Sequence, residues 1–525
     1  MKKLRFLMAA ALCVSLTGLA GCSAQNSADG TPADSAVQLL KDTARKLPGT
    51  AGDLAEILFP EDTDSRETAE TALAEDSRKD GDSHETDLDG TDLNEDGSGE
   101  GLVEAADDSE DTSPVSDEGI LNNGGTTVRF QGNDYYWKYG PDSVSADGLF
   151  TQYSFQQGVV NEMICRRPDG TEEVLFSAAG NGPIYIAGDR MYLTDSGNMY
   201  SVKLDGSQRI DYGYFTIWDA NAEAGLVIGS AGAAVGIQTI SSETGAAETL
   251  AGTENSYPSY AGTAGGFVYY SAADQNTEEF VLYQYSLDGS GTLREADRFT
   301  LTGDLESAFS SSVYATQIAL LDNQLYYSYG FYAGTGGFFQ SGGINCVELD
   351  ESGAPISRSA CVDSISAEEF AVEKQAGDVL LYYITEVNGS YIGFWDDYAY
   401  DSCTMKNLST GQTESSSFRL SRPGSFVFMD GAICTMEENQ AAYKTLLPVE
   451  LVSSLGCIEN SGESENQLTI IRDLDVLGED IYFTAEESLR APEQDMGWRP
   501  GYQRQGSRRL LLKAGETQAE ELFAY

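Results

Sequence analysis

Carboxylates dominate the chemistry this sequence could perform: its 525 residues include 84 Asp and Glu but a single histidine, His84. A Ser-His-Asp or Cys-His mechanism needs an imidazole beside its nucleophile, and none follows residue 84. Paired carboxylates remain, as in glycoside hydrolysis, where two carboxyl groups face each other about 5 to 10 Å apart. Asp396-Asp397, within Trp395-Asp396-Asp397-Tyr398, and Glu486-Glu487 are the conspicuous candidates. Neighbours on a strand point to opposite faces, whereas in a loop they can converge, so a carboxylate-dependent carbohydrate-active enzyme stays open as the alternative function. Asp92, Asn94, Asp96 and Gly97 match the opening of a calcium loop, but its twelfth position is Val103 instead of a bidentate Glu. Gly334 to Gly343 is glycine-rich yet lacks the Lys of a phosphate-binding loop. No cofactor and no metal site is expected.

Cysteines offer a second chemistry. Of eight, Cys165, Cys346, Cys361, Cys403, Cys434 and Cys457 lie beyond the first 22 residues, without a C-x-x-C, so a zinc site is not indicated. Cys346 and Cys361 are the candidate disulfide, because they flank the turn Asp350 to Pro355 at nearly equal distances. Bridging that loop would add on the order of 3 kcal/mol.

Three segments of different composition must carry these residues. Residues 1–22 open with Lys2, Lys3 and Arg5, continue with an apolar run from Phe6 to Leu16 and end in Leu19-Ala20-Gly21-Cys22. The run is too short for a stable membrane span and reads as an export signal. Residues 23–120 hold 28 acidic against 6 basic side chains and no Tyr or Trp, so they cannot bury enough apolar surface to offset chain entropy. They are read as a disordered acidic tether of about 55 Å mean span. Residues 121–525 hold all 29 Tyr and all four Trp, with 56 acidic against 22 basic side chains. Such a field repels nucleic acid, whose phosphates need clustered Lys and Arg.

In the third segment one pattern recurs. Met191 to Thr194 is a strand-like run, Asp195 to Asn198 a turn cluster, Met199 to Leu204 alternates, and Asp205-Gly206 turns again. Similar runs begin at Asp134, Met191, Gly225, Phe267, Leu325, Leu380, Ser425 and Asp480, at intervals of roughly 35 to 58 residues, the length of a four-stranded sheet with its turns. The fold class is therefore all-β, a β-propeller of seven or eight four-stranded blades. Thr127 to Phe130 is an alternating strand with no run of its own, and is expected to complete the last blade as a clasp.

Two resemblances follow. Leu19-Ala20-Gly21-Cys22 resembles the lipobox of bacterial lipoproteins, which implies that Cys22 is diacylated and begins the mature chain. Tyr192-Leu193-Thr194-Asp195 with Leu204-Asp205-Gly206 resembles the repeat of the YWTD propellers of low-density-lipoprotein-receptor-type proteins, and more closely bacterial lipoproteins with a related propeller domain of unknown function. That resemblance implies an architectural role for Asp195 between blades.

The resulting expectation is a lipid-anchored protein on the extracytoplasmic face of a Gram-positive cell membrane, whose propeller binds and does not catalyse. Trp395, Tyr398 and Tyr400 are the candidate binding surface. The partner is an envelope protein, a basic peptide or a neutral glycan, since acidic polymers would be repelled. A Cys22→Ser variant is expected to leave the membrane fraction for the soluble one, as cell fractionation would show.

Overall fold

The computed structural model describes residues 119–140, 160–180, 182–195, 197–232, 235–250, 253, 258–274, 279–301, 313–333, 338–386, 391–394, 397–457, 467–491 and 502–525. Cys22, His84, Asp92 and its neighbours, and residues 23–118 of the tether read from composition lie outside the described residues. None of the described helices is long and apolar enough to cross a membrane.

The repeated runs become eight successive antiparallel sheets, at residues 127–178, 185–214, 216–249, 259–300, 314–365, 370–416, 426–447 and 467–524, numbered here as blades 1 to 8. Seven have four strands in sequence order, and blade 7 has three, followed by a short helix, α1 (Val449–Ser454). The chain is an eight-bladed β-propeller. Short turns enforce this meander: in blade 1, Phe130 pairs with Asn133 across Gln131-Gly132, whose φ values of 52° and 75° are both left-handed. Two such residues make the turn whose twist suits a hairpin. Blade 7 uses Asp430-Gly431 in the same way, with Met429 paired to Ala432. Its run beginning at Ser425 is therefore a first strand, whereas the other seven runs are second strands.

Why those second strands carry aromatic doublets is clear from where alternate residues go. Successive side chains of a strand face opposite ways, and a blade is covered on both faces by its neighbours, so both rows must be apolar. Tyr269 packs in the cluster between blades 4 and 5 and Tyr270 in that between blades 3 and 4. Tyr327 and Tyr326 divide in the same way between blades 4 and 5 and blades 5 and 6. Among the described residues there are eight such buried clusters, one per junction, and α1 contributes Leu451 and Val452 to the junction of blades 7 and 8.

The ring does not close by the clasp expected from the sequence. Thr127–Phe130 is the first strand of its own blade, paired to Asn133–Lys138, and blade 8 is built wholly from residues 467–524. The reason is local: a two-residue turn at Gln131-Gly132 delivers the chain straight back onto the preceding strand. Polar contacts and an apolar cluster of Tyr136, Ile164, Tyr482, Leu511 and Phe523 close the seam instead. Arg509 of blade 8 bonds Asp475 at 2.8 Å and Thr127 at 2.6 Å. Asp475 also accepts from Asn122 at 2.6 Å and from the Thr126 amide at 3.1 Å. Arg129 bridges Asp134 and Asp480, Tyr482 donates to Asp134, and Arg166 reaches Glu520 at 3.0 Å.

Residues 120–126 form a strap that ties further blades. Asn123 donates to the carbonyls of Ile186 and Ala220 and accepts from the Ile186 amide, so one side chain stitches blades 2 and 3. Removing one member of a buried ion pair costs about 3 to 5 kcal/mol, because the other charge is left unpaired. Asp475→Ala is expected to lower unfolding free energy by roughly that amount, measured by urea denaturation. A double Asp475→Leu, Arg509→Met variant should lose less than Asp475→Ala alone.

Candidate functional site

Adjacent first strands pack against one another between blades 2 and 3, 4 and 5, 5 and 6, and 8 and 1, and the first strands of blades 3 to 6 build the site. A cavity of about 250 Å³ lies against the first strands of blades 4, 5 and 6, at Thr263, Ile318 and Phe370. Pro423 and the turn Glu437 to Asn439 of blade 7 complete it. Strand irregularities shape its surroundings. The first strands of blades 3, 4 and 5 each slip register by one residue, which sets Trp218, Ala261 and Thr316 out of the ladder. Bulges re-aim side chains in this way. Trp218 stacks on Tyr260 with ring centres 5.9 Å apart.

At the cavity edge, the Thr263 hydroxyl donates to the Asp219 carboxylate, and Tyr260 bonds the same hydroxyl at 3.0 Å. Burial raises the Asp219 carboxyl above its ordinary range, although its bonds from Thr263 and the Ala220 amide oppose the rise. Burial, then the nearby Asp219, pushes the Tyr185 phenol up to about 12. Arg422 supplies the opposite charge: it is exposed and donates to the Thr316 carbonyl of blade 5 at 3.0 Å, and its field opposes the rise that burial imposes on the Tyr260 phenol. The group thus offers a guanidinium, a protonatable carboxyl, two phenols and an indole, with Glu437 and Glu438 beside it. Such a set can hydrogen-bond and stack a polar ligand. Among the described residues, no three His, Cys, Asp or Glu are grouped to hold a metal ion.

The aromatic segment singled out in the sequence forms a hairpin inserted between the second and third strands of blade 6. Tyr391–Phe394 pairs with Asp397–Tyr400, and Phe394 sits opposite Asp397 across positions 395 and 396. Trp395 and Asp396 lie outside the described residues. Tyr398 is placed on its strand, and Tyr400 is half-buried beside the cluster containing Leu420 and Met436. The hairpin continues into the site: Tyr400 pairs with Leu420 and Ala399 with Ser421. Arg422 follows directly.

The other candidates separate. Glu486 and Glu487 are consecutive on the second strand of blade 8 and do not converge. Glu486 is buried, 3.4 Å from Arg472 and 3.9 Å from Arg504, while Glu487 pairs with Arg508 at 3.0 Å. Burial raises the Glu486 carboxyl despite both arginines. Cys346 and Cys361 lie on the adjacent antiparallel third and fourth strands of blade 5, both as buried free thiols. Asp195 ends the second strand of blade 2 opposite Asn198. Sequence reasoning missed Asp219, Tyr260, Thr263 and Arg422. One acid among 84 and one arginine after a short strand carry no periodic signal.

No protein-family model matches the chain, and no curated protein matches its sequence. Similar solved structures are distant. A computationally designed protein, Ika8, shares 13% identity over 59% of this chain and 82% of its own, with a TM-score of 0.29. A mutant puromycin hydrolase complexed with PGG shares 12% over 75% of this chain, which spans only 52% of that protein, with a TM-score of 0.30. The β-propeller domain of the Trilobed protease from Pyrococcus furiosus, described as having an open velcro topology, shares 10% over 70% of this chain and 95% of its own, with a TM-score of 0.30.

The raised Asp219 carboxyl makes a signed prediction. A group whose pKa is higher folded than unfolded stabilises fully below the unfolded value and loses that contribution as pH rises through the folded one. Asp219→Asn is therefore expected to be more stable than the parent at pH 7. The difference should shrink as pH falls from the raised folded value to the ordinary carboxylate value, read from urea midpoints along a pH series.

Proposed function

We propose that this protein is a lipid-anchored extracytoplasmic binding module, held through Cys22 and related to the bacterial lipoproteins whose YWTD-like repeat Tyr192 to Asp195 resembles. The observation that carries the binding reading is the cavity edge where Asp219, Thr263 and Tyr260 form a bonded chain and Arg422 adds one positive charge. Those groups offer donors, acceptors and aromatic faces, while the sole histidine lies at residue 84. A proton-transfer mechanism of the common hydrolase kind has no imidazole to use there.

Partner chemistry follows from charge. Asp219, Glu437 and Glu438 outnumber Arg422 near the cavity, and residues 121–525 carry 56 acidic against 22 basic side chains. A basic peptide segment, a neutral glycan or a basic patch on another envelope protein would be accepted, and acidic polymers excluded. The strand bearing Tyr398 and Tyr400, paired with Leu420 and Ser421 just before Arg422, would extend the contact surface.

The test is retention of a partner from envelope extracts by the full chain carrying Cys22→Ser, beside the same chain with Arg422→Ala and Asp219→Ala added. Retention that falls at least about tenfold in the triple variant, a loss of 1.4 kcal/mol, is the expected result. A parallel glycosidase screen guards the reading. Turnover that disappears in an Asp396→Asn, Asp397→Asn double variant, with no partner retained, would overturn it.

A further inference from the structure

Far from the cavity, blade 5 brings two thiols together. Opposite Ile344 stands Val362 and opposite Asn345 stands Ala360, so Cys361 is the extra residue of a register slip on the fourth strand. Cys346, on the third strand, pairs with Ser359, and both cysteines enter the apolar cluster between blades 5 and 6. Tyr326, on the second strand, is paired directly opposite Cys346, and all three side chains share that cluster. From blade 6, Lys406 donates to the Cys361 carbonyl at 2.6 Å, while the adjacent Cys346 and burial hold the Cys361 thiol well above its ordinary range, against the opposing charge of Lys406. Together these groups line a groove of about 430 Å³ that also meets Gln324 and Leu408.

The four remaining cysteines of the propeller have different surroundings. Burial pushes the thiols of Cys403 and Cys457 up to about 11 and about 12, and raises those of Cys165 and Cys434. Cys346 alone shifts the other way, because donors from Cys361 and Tyr326 favour its ionised form. A thiolate is the nucleophile in disulfide chemistry, and a second thiol within reach can resolve the product.

We propose that Cys346 and Cys361 form a thiol–disulfide exchange site for low-molecular-weight disulfides that enter the groove between blades 5 and 6. Cys346 thiolate attacks one sulfur of the disulfide, forming a mixed disulfide and expelling the first small thiolate, which takes the Cys361 proton. Cys361 thiolate then attacks the Cys346 sulfur, forming the Cys346–Cys361 bond and releasing the second small thiolate, which is protonated from solvent by the proton Cys346 had lost. Two electrons pass from the protein sulfurs to the small disulfide, leaving two small thiols. A structural staple would be permanent, whereas this pair cycles with its surroundings. The site is independent of the cavity near Asp219.

The test treats the reduced full chain with oxidised glutathione, quenches with an alkylating agent and maps cysteine peptides by mass spectrometry. The expected product is a single Cys346–Cys361 disulfide. Cys361→Ser should trap glutathione on Cys346, and Cys346→Ser should leave Cys361 unmodified over the same interval. Equal labelling of Cys361 in Cys346→Ser, or no disulfide in the folded parent, would overturn the proposal. Should the variants unfold, alkylation rates in the parent decide: Cys346 is expected to react at least about tenfold faster than Cys165, Cys403, Cys434 and Cys457, and equal rates would refute it.

Discussion

The seam between blades 8 and 1 depends on Asp475, whose two carboxylate oxygens gather Arg509, Thr126 and Asn122 at the junction of the chain's last sheet with its first. Here the polar cluster does what a shared strand does in a clasped ring. Because Arg509 and Asp475 are both nearly buried, each needs the other to offset its desolvation. The strap at residues 120–126 depends on the same carboxylate, and through Asn123 it reaches blades 2 and 3. A single acid thus couples the entry of the chain to both sides of its closure.

Around the rest of the ring the constraint is apolar and repetitive. Each second strand must satisfy two neighbours at once, so a doublet such as Tyr269-Tyr270 sends one ring to each side. This makes every junction an apolar cluster of similar kind, and it leaves little freedom for polar function inside the blades. Polar chemistry is displaced to two places: the inner edges, where register slips set Trp218 and Thr316 out of the ladder, and the outer groove at Cys361. Each of these three positions is a bulge. Irregularity in the ladder, not the regular repeat, accounts for the side chains that can act.

The hairpin inserted in blade 6 joins these themes. Its second strand pairs with Leu420–Ser421, which leads into Arg422, and Arg422 crosses to blade 5 at Thr316. A surface insertion and an inner edge are thereby parts of one structural unit, so a contact at the hairpin is mechanically close to the cavity.

Strand character, the all-β class and a count of seven or eight blades could be read from the sequence because they rest on short-range signals: period-two apolarity in runs such as Met191 to Thr194, and turn residues such as Asp205-Gly206. The absence of histidine after residue 84 also bounds the chemistry before any fold is known. Ring closure was less legible, since Gln131-Gly132 is a weak turn signal and its two left-handed residues decide which partner Thr127–Phe130 takes. The fates of the acids depended wholly on tertiary structure. Glu486 and Glu487 look paired in sequence and are separated by the alternation of a strand, whereas Asp219 and Thr263 are 44 residues apart and meet because adjacent blades bring their first strands together. Cys346 and Cys361 fall between these cases: the turn at Asp350 to Pro355 predicted adjacent strands, but only a one-residue slip set both thiols against Lys406 and Tyr326. Local propensity is written in neighbouring residues, and convergence of distant side chains is a property of the closed ring.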